Sequence, residues 1–347
     1  MNLTKHVQRD APGLGGWDNA YGRALHRRQR SVGERTRGRS KDMSSTTPAS
    51  EGFVPFREFR VRYRIVGELD QPAPGRFPLL VLHGGPGAPH DYLDPLAALA
   101  QSGRPVVFYD QLGSGNSDQP DDPTLWNIDL YLDEVATVRR ELGLDRVHLL
   151  GQSWGGMLAL SYALMQPAGF LSLVVADSTA SMPLHAAEVN KIREQLPPEV
   201  QEVLNQHEAA GTTDDPAYEE AAMAFYARHI CRLDPWPDYL LEAFERINPQ
   251  VYQTMWGAGE LHITGNLKDW DITPRLGEIG VPTLLLSGRY DEFTLDEQEV
   301  LREGIPGSEW VLFEQSAHLP HAEETERFLE VLEDFLSRVE REATPGA

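Results

Sequence analysis

The sequence predicts an α/β fold: a mostly parallel central sheet flanked by helices, interrupted late in the chain by an inserted helical cap. Three observations lead there. Short continuous apolar runs, such as 77–83 (FPLLVLH) and 105–109 (PVVFY), suit strands buried on both faces of a parallel sheet. Helical stretches alternate with these runs, the rhythm of successive βα units. That rhythm stops after Asp177 and resumes at Val281, with charged helical stretches between.

In chain order, residues 1–52 read as an N-terminal extension. Residues 1–50 hold 10 Lys/Arg against 4 Asp/Glu, net +6, and lack both hydrophobic periodicity and the apolar centre of a secretory signal. Disorder is the expectation for such a stretch, and Met43 offers an alternative start. Phe59–Val66 (FRVRYRIV) alternates apolar and basic residues, the period-2 pattern of a half-exposed edge strand. After the proline-containing turn 71–75 comes strand 77–83, then a short helix over 92–100 and strand 105–109. The run 130–142 puts Leu132, Val135, Val138 and Leu142 on one helical face. Strand 147–150, helix 155–166 and strand 171–176 complete the first part of the core, 53–177. The cap, 178–273, contains helical stretches 186–196, 198–208, 217–231 and 239–246. The second part of the core, 274–347, supplies strands 281–287 and 310–313 and a closing helix over 322–339.

Composition excludes several function classes. With 41% apolar residues the 347-residue chain can bury a substantial core, and no apolar run reaches the ~18 residues of a membrane span. The net charge of −22, which is −28 outside residues 1–50, would repel nucleic acid. The single cysteine, Cys231, rules out an intrachain disulfide and suits a reducing cytoplasm. No clustered ligand motif of the H-E-x-x-H kind is present, so neither a metal nor an organic cofactor is expected.

The most informative stretch is 151–155, Gly-Gln-Ser-Trp-Gly, lying between an apolar strand and a helix. G-x-S-x-G in that setting is the nucleophile elbow. A sharp strand-to-helix turn forces Ser153 into a strained backbone conformation and crowds the residues two before and two after, which must be small. The loop His83-Gly84-Gly85-Pro86-Gly87 follows a buried strand and can aim backbone N–H groups into a site. The N–H groups of Gly85 and Trp154 are therefore expected to form an oxyanion hole. A carboxylate facing a ligand belongs at the carboxyl end of a parallel strand, where Asp291 stands. Asp296 is the alternative acid, but it falls where a helix should begin. His318 follows the last strand by a few residues, whereas His83, His148 and His321 read as structural. The order Ser153, Asp291, His318 is that of the α/β-hydrolases. In it, His318 takes the serine proton and Asp291 orients the imidazole.

HGGPG (83–87), YDQLGSGNSD (109–118), GQSWGG (151–156), GRYDE (288–292) and SAHLPHAEE (316–324) together resemble the proline iminopeptidase family of α/β-hydrolases. The nearer resemblance is to the branch containing the tricorn-interacting aminopeptidase, whose cap carries a segment like 255–270 (MWGAGELHITGNLKDW). That resemblance implies a serine aminopeptidase acting through an acyl-enzyme on short peptides or amino-acid amides with a free N-terminus. It implies that Glu260 and Glu292 bind the substrate's α-amine, with Glu245 a weaker third candidate. Paired carboxylates hold an ammonium by charge-assisted hydrogen bonds and reject internal peptide segments, which have no cation. Trp154 and Trp256 depart from the residues frequent in the branch and are expected to reshape the first side-chain pocket; proline preference is implied by the family name alone. The competing readings are an esterase or amidase using the same triad, and a binding protein on a retired hydrolase scaffold.

Overall fold

The computed structural model describes residues 48–343; Met43 and most of the expected N-terminal extension lie outside the described residues. Eight strands form one sheet in the order β1-β2-β4-β3-β5-β6-β9-β10. These are β1 Ala49–Phe56, β2 Phe59–Val66, β3 Leu79–Leu82, β4 Val106–Tyr109, β5 Val147–Gln152, β6 Phe170–Ala176, β9 Thr283–Gly288 and β10 Glu309–Phe313. From β4 to β10 every pairing is parallel, while β1 runs antiparallel to β2 and β2 to β4.

Two expectations at the N-terminal edge are corrected. β1 begins at Ala49, inside the stretch 1–52 assigned to the extension. It takes the edge itself, so Phe59–Val66 is the second strand and not the edge. The signal was masked because ASEGFVPF carries a glycine and a proline, both poor strand formers that an edge strand tolerates.

The central strands are buried on both faces, and their alternating side chains feed two apolar layers. Leu79, Val81, Val106 and Phe108 point to one layer and Leu80, Leu82, Val107 and Tyr109 to the other. The second layer holds helices α1 (Ile128–Glu141) and α2 (Trp154–Ala163). α1 starts where the Asn127 side chain accepts from Leu130 N–H and ends with Arg139 and Arg140 in its last turn. The first layer is covered by a 3₁₀ segment, His90–Ser102, and by the closing helix α10. The expected closing helix 322–339 is two helices, α9 (Pro320–Glu323) and α10 (Thr325–Ala343).

Between β6 and β9 the chain builds α3 (Met182–Arg193), α4 (Pro198–Ala210), α5 (Pro216–His229), α6 (Asp238–Glu245) and α7 (Pro249–Met255). A small antiparallel hairpin follows, β7 (Gly257–Gly259) and β8 (His262–Ile263), which the sequence did not reveal. The insert's two ends lie side by side: Met182 N–H bonds Trp270 O, and Ile272 N–H bonds Ala180 O. A further helix, α8 (Leu295–Gly304), opens with a Thr294–Glu297 capping box and holds Asp296 in its first turn, as its position in the sequence suggested.

Candidate active site

Ser153 sits between β5 and α2 with φ 58° and ψ −127°, a conformation unfavourable for any residue with a side chain. The flanking glycines permit it. A Cβ on Gly151 would lie 2.0 Å from the Gly155 carbonyl oxygen, and one on Gly155 would lie 2.2 Å from that of Leu82. Trp154 N–H is at the head of α2, where a helix leaves its first donors without intrahelical partners. The Trp154 side chain does not reshape a substrate pocket as expected. It is buried in the layer beside Tyr131 and donates to Gln111 Oε1 at 2.8 Å, bracing the 110–115 loop.

Asp291 and His318 meet at the carboxyl ends of β9 and β10. Asp291 Oδ1 accepts from His318 Nδ1 at 2.8 Å and from Phe293 N–H at 3.2 Å. With Nδ1 donating, Nε2 is the acceptor a general base requires. The other histidines hold structural contacts. His83 Nε2 accepts from Gln111 N–H, and burial lowers the imidazole to about 4, so the neutral ring clamps the glycine loop. His148 lies against Ser172 and Glu340, and His321 against the Tyr92 carbonyl. Within the glycine loop, Gly85 has φ +111°, and a Cβ there would meet the Ala88 and Gly87 nitrogens at 2.7 and 2.8 Å. The helical insert braces the same loop: Asn248 N–H donates to Gly87 O at 3.0 Å.

A group of carboxyls surrounds this centre. Glu260 occupies the two-residue turn of the β7–β8 hairpin, where its Oε1 accepts from Tyr252 O–H at 2.7 Å. Its own N–H bonds the Tyr226 phenol, and the Trp256 indole stands beside it. Gly257, at φ +136° with Thr264 N only 2.5 Å from a notional Cβ, lets the hairpin close. Glu292 is buried, with Oε1 3.8 Å from His318 Nε2 and Oε2 without a hydrogen-bond partner. Burial, reinforced by Glu260, Asp291 and Glu297, pushes the Glu292 carboxyl well above its ordinary range. Burial also raises Glu260. Among the described residues no lysine or arginine pairs with either. Glu245 ends α6 and is exposed.

The α/β-hydrolase fold model matches residues 78–325. Over 291 residues the chain is 40% identical to a proline iminopeptidase from Heyndrickxia coagulans, covering 84% of this chain and 99% of the relative. The chain belongs to the proline iminopeptidase family. Two solved structures agree in fold with this assignment. One is VinJ, at TM-score 0.81 and 43% identity, covering 84% of this chain and 99% of that one. The other is a proline iminopeptidase from Mycobacterium smegmatis, at 0.79 and 38%, covering 85% and 100%.

Sequence reasoning missed three polar residues that this family member places at the centre. Tyr92 and Gln152 connect the glycine loop to His318. Asp177, at the end of β6 with φ 49°, accepts from Gly288 N–H at 3.1 Å and is hydrogen-bonded to Asp291. Burial and the adjacent Asp291 raise the Asp177 carboxyl well above the carboxylate range. The rule that picked Asp291, a carboxylate at a parallel strand's carboxyl end, picks Asp177 equally well.

Proposed function

We propose that the chain is a serine aminopeptidase releasing an N-terminal residue, proline among the candidates, from short peptides or amino-acid amides. In this reading residues 178–273 act as the cap over a hydrolase core. The observation that carries it is the position of Glu292: a buried carboxylate without a basic counter-ion, 3.8 Å from the Nε2 of His318. A backbone nitrogen lies only about 2.5 Å from the carbonyl carbon of its own residue. A cation held by Glu292 that close to the base is therefore the α-ammonium of the residue whose carbonyl is attacked. Glu260 approaches the same cation from the insert, and both carboxylates ionise when an ammonium offsets their repulsion.

The chemistry follows from these positions. Ser153 Oγ attacks the first carbonyl while His318 Nε2 takes its proton, and Asp291 holds the imidazolium through Nδ1. The N–H groups of Gly85 and Trp154 stabilise the oxyanion. His318 then returns the proton to the departing amine, and a water attacks the acyl-enzyme by the same route in reverse. No cofactor takes part in this scheme. Among the described residues no helix is long and apolar enough to cross a membrane; a peptide substrate in the cytoplasm completes the proposal.

The test is a panel of aminoacyl coumarin amides, each with a free or an acetylated amine. Cleavage of the free-amine set alone is expected, with a loss of at least about 10⁴-fold in kcat for Ser153→Ala. Equal cleavage of the acetylated set would instead establish a general amidase or esterase.

A further inference from the structure

One hydrogen-bond chain joins the two halves of the catalytic machinery. Gly84 N–H donates to the Tyr92 phenol oxygen at 2.6 Å. The Tyr92 O–H donates to Gln152 Oε1, also at 2.6 Å. Gln152 Nε2 donates to His318 O at 3.0 Å and lies 3.2 Å from His318 Nε2. Tyr92 and Gln152 are both buried, so water does not substitute for these partners. We propose that Tyr92 and Gln152 are positioning residues that set the oxyanion loop and the general base against one another.

The donor count makes the chain directional. A phenol has one proton to give, and Gly84 already donates to its oxygen, so that proton goes to Gln152. The Gln152 amide cannot flip, because its NH₂ would then face a phenol whose own proton has no acceptor. Its NH₂ is thereby aimed at His318 and presents donors to the carbonyl and to Nε2. An Nε2 that faces a donor carries no proton, which is the tautomer Asp291 selects from the other side of the ring. When His318 becomes an imidazolium, its new N–H faces the Gln152 NH₂, and this opposition favours passing the proton on to the departing amine. At the other end, fixing Gly84 fixes the neighbouring Gly85, whose N–H is assigned to the oxyanion hole. Tyr92 is itself gripped between the insert's Phe244, edge-on at 6.3 Å, and His321 at 5.7 Å. The insert thus bears on the chain directly.

The inference rests on reading Ser153, Asp291 and His318 as the triad. Three variants test it with whichever coumarin amide the native enzyme cleaves best: Tyr92→Phe, Gln152→Met and the double variant. Tyr92→Phe keeps the ring and its contacts and removes only the hydroxyl. Each single change is expected to lower kcat about 10- to 100-fold with KM within about threefold, the pattern of an interaction made in the transition state. Because either change breaks the same chain, the double variant should fall within about threefold of the worse single one. An unchanged kcat in both single variants, or losses that multiply in the double, would overturn the proposal. Should Tyr92→Phe fail to fold, Gln152→Met carries the test through its kcat and KM. Ser153→Ala separates the two readings: activity surviving there sinks the triad, whereas activity lost there but retained in Tyr92→Phe and Gln152→Met sinks only this inference.

Discussion

Two buried acidic regions lie within the same fold and are built on opposite principles. Beneath the sheet, Glu340 of α10 accepts from Arg104 Nη1 at 2.5 Å, Arg104 Nη2 and Arg76 Nη1 at 3.0 Å, and Phe77 N–H at 2.8 Å. Burial works against its charge, but His148, at 3.3 Å, then Arg104 and the Phe77 N–H outweigh it and hold the carboxyl down to about 2. At the active site Glu292 and Glu260 have no such cation, and burial pushes both upward. Desolvation opposes charge in each place; only the supply of partners differs. An acid with a full set of donors is a rivet, whereas under the proposed function acids gathered without a cation are a receptor for one.

The largest expected effect tests the rivet. Glu340→Ala strips the buried Arg104 of its two shortest contacts to a carboxylate, leaving it Glu333 at 3.3 Å, and should destabilise the protein by about 3 kcal/mol. Denaturant unfolding measures this, and kcat of the folded fraction should hold. The pH dependence has a definite sign. Glu340 is depressed when folded, so its stabilisation is present above its unfolded value near 4.5 and is lost as pH falls toward about 2.

The receptor should behave in the opposite way. Glu292→Gln is expected to cost about 100-fold in kcat/KM on free-amine substrates, or ~3 kcal/mol, mostly as a rise in KM. It should leave the rate of Ser153 labelling by an amine-free fluorophosphonate unchanged. If labelling and free-amine cleavage fell equally, Glu292 would be serving the triad and not the amine. A smaller effect accompanies this loss. Because the folded pKa of Glu292 is raised, the empty enzyme loses stability as pH climbs above the unfolded value of about 4.5. Glu292→Gln removes that penalty and should stabilise the free protein at neutral pH by about 1 kcal/mol, raising Tm by roughly 1–3 °C. A lower Tm would show that the carboxylate already has a resident partner.

The raised pair also predicts how binding responds to acid. An ammonium binds ionised carboxylates, so KM for a free-amine substrate should rise as pH falls, beginning above the range where ordinary glutamates titrate. A KM independent of pH down to about 4 would contradict the receptor reading. Asp177 gives the smallest expected change. With burial and Asp291 both opposing its charge, it should be replaceable by asparagine, whose amide can accept from Gly288 and offer a donor to Asp291. kcat of Asp177→Asn should stay within about threefold of native; a tenfold loss would mean that a negative charge is needed there.

Much of this arrangement was legible in the chain because it rests on local sterics. The glycines around Ser153 are required by contacts of 2.0 and 2.2 Å that any side chain would violate. Asp291 and His318 follow strands whose apolar runs announce them. Glu292 was tied to the site by adjacency to Asp291, and Glu260 by resemblance to a family segment. The edge strand β1 escaped because its glycine and proline hide the β pattern, and its pairing partner, not its own propensity, makes it a strand.

By itself, the sequence determined the layered fold, the elbow and the order of its chemical groups, since each is written in neighbouring residues or a short period. Which buried acid finds a cation was decided only in three dimensions. Glu340 meets Arg104 from 236 positions away, while Tyr92, Gln152 and His318 converge from three separate elements. A carboxyl's charge state depends on everything packed within a few ångströms of it, and that neighbourhood is a property of the folded chain.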